Sequence, residues 1–173
     1  FPYSYYLTQF PALIGIGQFN HGFRTPSSIF YINSLFYLPI VKYFTFYISA
    51  VLFLVFSNLI LLVKIIEKFK AKKTHFISYL FLLFFIFINI FFYRIQEHGA
   101  DRSAQILVLI LILYLISFIN FEKSFELDLT KICVVLGLII SLKALFLLYL
   151  TLSIPIIYIF IKEKKSFLIF QIF

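Results

Sequence analysis

The sequence predicts an all-α fold, a polytopic helical membrane protein, and three observations predict it. Of the 173 residues, 63% are hydrophobic and 22% aromatic. Only 13% are charged, about half the usual share of a soluble domain. The apolar residues also fall in runs that match a bilayer core, which needs roughly 20 residues in helical form. A water-soluble domain of this length must still face water and could not hide so much Phe, Ile and Leu. Lipid is the solvent that accepts such a composition.

Residues 41–63 (VKYFTFYISAVLFLVFSNLILLV) and 75–93 (HFISYLFLLFFIFINIFFY) each satisfy the length requirement without an internal acid. The run 105–120 does so when residues 101–104 form its first turn, giving a helix over 102–120. The last apolar stretch, 132–161, would be about 45 Å long as one helix, too long without extreme tilt. Lys143 sits near its middle and Pro155 follows. Two short helices, 132–142 and 145–161, turning near Lys143, are therefore expected; broken helices are tolerated where protein or a water-filled cavity receives the freed backbone groups. The total is about five membrane-spanning or membrane-embedded helices.

Lysine placement orients them. Lys64, Lys68, Lys70, Lys72 and Lys73 follow the first span, Lys123 and Lys131 follow the third, and Lys162, Lys164 and Lys165 follow the last. All three clusters fall on one side only if the last stretch doubles back, and that side is the cytoplasm. Residues 64–74, 121–131 and 162–173 are then internal, and 1–40 and 94–104 external. The formal net charge of +8 is accordingly assigned to cytoplasmic loops, not to a nucleic-acid surface. The one cysteine, Cys133, lies in an apolar run, which leaves no disulfide framework and no Cys-based metal site. The chain has no Met and opens in FPYSYYLTQF, with no basic n-region or cleavage site, so it is expected to be a fragment. Within 1–40, Thr25 is the expected N-cap and Pro26 the first residue of an external helix lying in the interface up to Leu38.

Two external segments carry most of the remaining polarity. The first, 15–28 (GIGQFNHGFRTPSS), presents Asn20, His21 and Arg24 beside the membrane. Its Gly15 and Gly17 do not make a dinucleotide fingerprint, because position 20 is Asn and no βαβ context surrounds it. Arg24 could hold a phosphate through its planar fork of donors, or merely snorkel at a headgroup. The second, 94–105 (RIQEHGADRSAQ), holds Glu97 and Asp101, the external acids. They would share a helix face if the second helix ran past Gly99, or flank a tight turn if Gly99 broke it. Either arrangement could bind a divalent cation or position a sugar hydroxyl. The structural alternatives are an N-cap for Asp101 and a local Arg94 or Arg102 pair for Glu97. Lys143 is the third candidate, since a lysine within an apolar stretch usually faces a cavity or a partner. His75 and His98 form no metal-ligand pattern, and neither a Ser-His-Asp nor an H-E-x-x-H arrangement occurs.

The segments FNHGFRTPSSIFYINSLFYLP, EHGADRSAQILV and SLKALFLLYL resemble a family of bacterial multi-pass membrane proteins related to the GT-C glycosyltransferases. That resemblance implies the bacterial cytoplasmic membrane, cell-surface polysaccharide biosynthesis and an inverting transfer from a polyprenyl-phosphate-linked sugar. It implies catalytic roles for Glu97 and Asp101, with a divalent cation between them as an option. Arg24, Lys143, His21 and Asn20 would bind the donor phosphate. Such enzymes place their principal acid in the first external loop, yet residues 1–40 contain no Asp or Glu. The resemblance would put that acid upstream of Phe1. Two other functions fit the same charges: a transporter or flippase for a lipid-linked saccharide, and a non-catalytic membrane subunit. No inverted repeat speaks for the former.

Overall fold

A computed structural model describes residues 2–11, 27–70, 76–94, 99–119, 125–155 and 157–158. Its regular structure among these residues is entirely helical. The elements are α1 (Pro2–Gln9), α2 (Ser28–Leu35), α3 (Ile48–Lys70), α4 (Phe76–Phe91), α5 (Gly99–Ile119) and α6 (Phe125–Leu142), with 3-10 helices at Tyr43–Tyr47 and Ala144–Ser153.

Helix boundaries depart from the sequence reading in physically sensible ways. The cap of α2 is Ser27, whose hydroxyl accepts from the Ile29 amide, so Thr25 and Pro26 are not its N-cap and first residue. Ahead of α3 the chain turns tightly: the Lys42 amide donates to the Leu38 carbonyl at 2.6 Å, with Lys42 itself at φ 56°. A 3-10 turn follows, held by the Thr45 hydroxyl on the Lys42 carbonyl at 3.1 Å. At the far end α3 continues through Lys64, Lys68 and Lys70, residues that the apolar pattern alone places in a loop. Lysine is a good helix former and complements the negative end of the helix dipole.

The start of α6 lies seven residues ahead of 132, so part of the expected 121–131 loop is helical. Its buried residues explain this: Ile132, Leu136 and Ile139 recur at helical spacing, with Leu129 packed against the same core. Past Lys143 the chain forms a ten-residue 3-10 helix where an α-helix from 145 was expected, and is α-helical again at 154–155 and 157–158. Thr151 donates to the carbonyl of Leu148 and Ser153 to that of Leu150, and Pro155 lacks an N–H. Both features favour the tighter turn over i→i+4 bonding. The buried side of this segment repeats every third residue, at Phe146, Tyr149 and Leu152. Lys162, Lys164 and Lys165 lie outside the described residues.

The centre of the bundle is α5, which packs most extensively on α6 and also on α3 and α4. Ile106, Ile110, Leu111 and Leu113 on α5 are each at most 1% exposed. The segments Tyr43–Lys70 and Ala100–Ile119 are long and apolar enough to cross a membrane. At 16 residues, α4 is about 24 Å long.

The distribution of residues around α3 is inverted. Its buried positions are Ser49, Ala50, Ser57 and Leu61, whereas Val55, Phe56, Leu59, Val63 and Ile66 are 44–58% exposed. In α4, Ser78 is buried while Leu83, Ile90 and Phe91 are 57–60% exposed. One polar pair joins these two helices. Asn58 donates to the Asn89 side-chain oxygen at 3.2 Å and Asn89 returns the bond at 2.9 Å. Asn89 also donates to the Phe85 carbonyl at 2.8 Å.

At the opposite edge, α1 packs on α2 through aromatic rings. Tyr3 stands edge-on to Phe30 at 5.5 Å and to Tyr31 at 6.4 Å. A hydrogen bond to Tyr31, and then burial, push the Tyr3 phenol up to about 12.

The reciprocal amide pair yields a signed prediction. In micelles or vesicles, replacing both Asn58 and Asn89 by Leu should weaken α3–α4 association by about 0.6 kcal/mol, with about 1.7 as the upper end. Asn58→Leu alone should cost at least as much, because it strands the Asn89 amide. Unfolding free energies of the two single variants and the double variant measure this directly.

Candidate functional site

One end of the bundle gathers the long-range polar contacts other than the Asn58–Asn89 pair, among the described residues. Antiparallel packing of α5 and α6 brings the first turn of α5 beside the last turn of α6. Asp101 is the acid of that first turn, and Lys143 follows the last residue of α6 in extended conformation, φ −159° and ψ 130°. The Lys143 Nζ donates to Asp101 Oδ1 at 2.6 Å across 42 residues of sequence. Each charge also opposes the partial charge of its own helix end, positive at the start of α5 and negative at the end of α6. The side chains remain 28% and 40% exposed for Lys143 and Asp101 respectively, so solvent-borne groups can reach both.

Lying across this end, α2 bridges two other helices. The Ser28 hydroxyl donates to Ser141 at 3.2 Å, two residues before Lys143, and Ser141 donates in turn to the Leu138 carbonyl at 2.8 Å. At the other end of α2, Asn33 accepts from the Ser49 hydroxyl at the start of α3. The exit of α4 adds Arg94, 5.5 Å from the Tyr93 ring centroid. Ser103, two residues beyond Asp101, has a fully buried hydroxyl with no hydrogen-bond partner.

Two of the sequence candidates, Asp101 and Lys143, are thus brought together. Glu97, Asn20, His21 and Arg24 lie outside the described residues, as do His75 and His98. Gly99 neither lets α4 run on nor sits in an isolated turn, because it is the first residue of α5. Asp101 is in consequence a first-turn residue of α5 and not its N-cap. Among the described residues no group of three or more His, Cys, Asp or Glu converges on a point that could hold a metal ion. Sequence reasoning passed over Ser28, Asn33, Ser49 and Ser141. The available signal was the recurrence of Ser49, Ala50 and Ser57 at helical spacing within an otherwise bulky run, which marks a close-packed face.

Comparison with protein-family models, with curated proteins and with solved structures found no match to this chain.

The geometry predicts an asymmetric charge cycle. Asp101→Asn and Lys143→Gln should each destabilise the bundle, with a coupling between them of about 1 kcal/mol, the upper range for a partly exposed pair. The reversed pair, Asp101→Lys with Lys143→Asp, should recover only part of this. It restores the attraction but sets each charge against its helix end, at about 0.3–1 kcal/mol per end. Full recovery on unfolding would show that the helix termini contribute nothing.

Proposed function

We propose that this chain is the membrane-embedded part of a glycosyltransferase using a polyprenyl-phosphate-linked sugar, with the carrier phosphate engaged at Lys143. Support for the membrane begins with α3. The core helix of a soluble protein is also apolar, and α5, 56% buried over its apolar window, would pass as one. Only 28% of the corresponding window of α3 is buried, and three of its four buried residues are small, Leu61 being the exception, while what it exposes is large. Packing small residues inward and large ones outward is the arrangement of helices in lipid, where outward Leu and Phe carry no penalty and close backbone approach drives association. In water the same surface would be an unusually large apolar patch.

The observation that carries the functional part is the Asp101–Lys143 pair at the polar end. A departing carrier phosphate gains negative charge in the transition state, and a positioned ammonium stabilises it there. In the resting arrangement Asp101 holds Lys143 in place. Arriving phosphate then competes with the carboxylate for the ammonium and leaves Asp101 to act on the acceptor hydroxyl or on a divalent cation shared with Glu97. Arg24, four residues from Ser28 in the chain, is the further cation that the resemblance assigns to that phosphate. The family resemblance of the three segments supports the choice of a lipid-linked sugar as substrate.

A second reading, a non-catalytic membrane subunit, is favoured by the same pair for a different reason: it neutralises both charges and ties α5 to α6. The two readings predict different patterns of donor binding. If Lys143 serves the phosphate, Lys143→Gln weakens binding of a polyprenyl-phosphate sugar to the purified protein about tenfold, the loss of roughly one charge-assisted hydrogen bond. Asp101→Asn then preserves or tightens that binding, because a competitor is gone. If the pair is only a clasp, both substitutions loosen assembly alike and neither changes donor binding selectively. Titrations of the labelled carrier against the two variants decide between them.

A further inference from the structure

Away from the polar end, α3 and α5 leave an open groove of about 250 Å³, lined by Phe56, Leu59, Ile60, Val63, Lys64 and Tyr114. Five of the six come from one stripe of α3, and from Phe56 to Lys64 that stripe runs about 12 Å along the helix. Its walls are almost wholly apolar until the last turn, where chemistry changes abruptly. Lys64 closes the groove, pairs with Glu67 at 2.8 Å, and the next residue on its face is Lys68. The stretch 64–73 contains five lysines against one glutamate.

We infer that this groove binds an anionic phospholipid, one acyl chain lying along Phe56 to Val63 and the phosphate at Lys64 and Lys68. The inference rests on the membrane reading of α3 given above and not on the glycosyltransferase assignment. Charge complementarity selects the occupant. A neutral chain would gain nothing from the lysine end, and a water-soluble anion would gain nothing from a slot in which Leu59 and Val63 are about half exposed. An apolar tail carrying a negative head at one end satisfies both. Lys64 is 24% exposed and its partner Glu67 46%, so the ammonium is open to a headgroup without loss of its neighbour. The depth agrees as well, since lysines placed at the end of a span sit at headgroup level.

The absence of Trp from the chain makes the test direct. Leu59→Trp places a single indole in the groove, and Leu83→Trp places one on the exposed face of α4, where Leu83 is 57% exposed. Each variant is reconstituted in vesicles containing phosphatidylglycerol or phosphatidylcholine with brominated acyl chains, and fluorescence quenching is followed against mole fraction. The groove indole should be quenched by phosphatidylglycerol at a roughly fivefold lower mole fraction, the factor that one net positive charge confers when Glu67 offsets one of the two lysines. Lys64→Gln with Lys68→Gln should abolish that preference, and the α4 indole should show none. Equal quenching of the groove indole by both lipids, with the α4 indole still quenched, overturns the lipid site and leaves the membrane reading standing. A preference that survives loss of both lysines, or that appears equally on α4, also overturns it. If neither indole is quenched, the site and the membrane reading fall together.

Discussion

The antiparallel pairing of α5 and α6 and the ion pair that closes it are what the rest of the arrangement depends on. Two helices packed antiparallel place a positive terminus and a negative terminus side by side, and Asp101 and Lys143 are the side chains that match them. Because α5 also contacts α3 and α4, fixing its end relative to α6 fixes the register of the other helices. The strap formed by α2 is placed by the same event. Its Ser28 contact is with Ser141, on the turn that precedes Lys143, so an unclosed hairpin would leave it one hydrogen-bonded tie to the bundle, Asn33 on Ser49.

What the interior lacks is as informative as what it contains. Small residues occupy the contact faces of α3 and the start of α5, where Ser49, Ala50, Ser57, Ser103 and Ala104 are at most 2% exposed. Many bulky side chains of α3 face outward, while those of α5, such as Ile106, Ile110 and Leu111, fill the centre. On the α3 side the packing combines close approach with one reciprocal polar pair, Asn58 with Asn89.

Much of this was legible in the sequence and some was not, for identifiable reasons. Unbroken apolar runs made α3, α4 and α5 visible, and a single lysine in the last run gave the place where α6 stops. Composition alone could not say where helices begin and end. Lysine and glutamate prolong α3 past its apolar stretch, and the spacing of Leu129, Ile132, Leu136 and Ile139 draws the preceding polar residues into α6. The 3-10 form of Ala144–Ser153 was hidden because that segment is apolar on every side, so no periodicity distinguishes three residues per turn from 3.6. Of the candidate site, the chemistry of Asp101 and Lys143 could be read individually. The turn near Lys143 put both on the same side of the helices, but their direct contact could not be read, since 42 residues separate them and only the packing of two helices brings them within reach.

That 3-10 segment also limits how the gene can change. Phe146, Tyr149 and Leu152 face inward at intervals of three, and each residue advances the turn by about 120° and about 2.0 Å. Losing or gaining one codon there would swing the whole inner face out and bring an outer face in. Three codons together would restore the orientation and merely shift it along the axis by about 6 Å. Length variation in this stretch should therefore come in threes, whereas in α3 the matching increment is seven, two full turns of an α-helix.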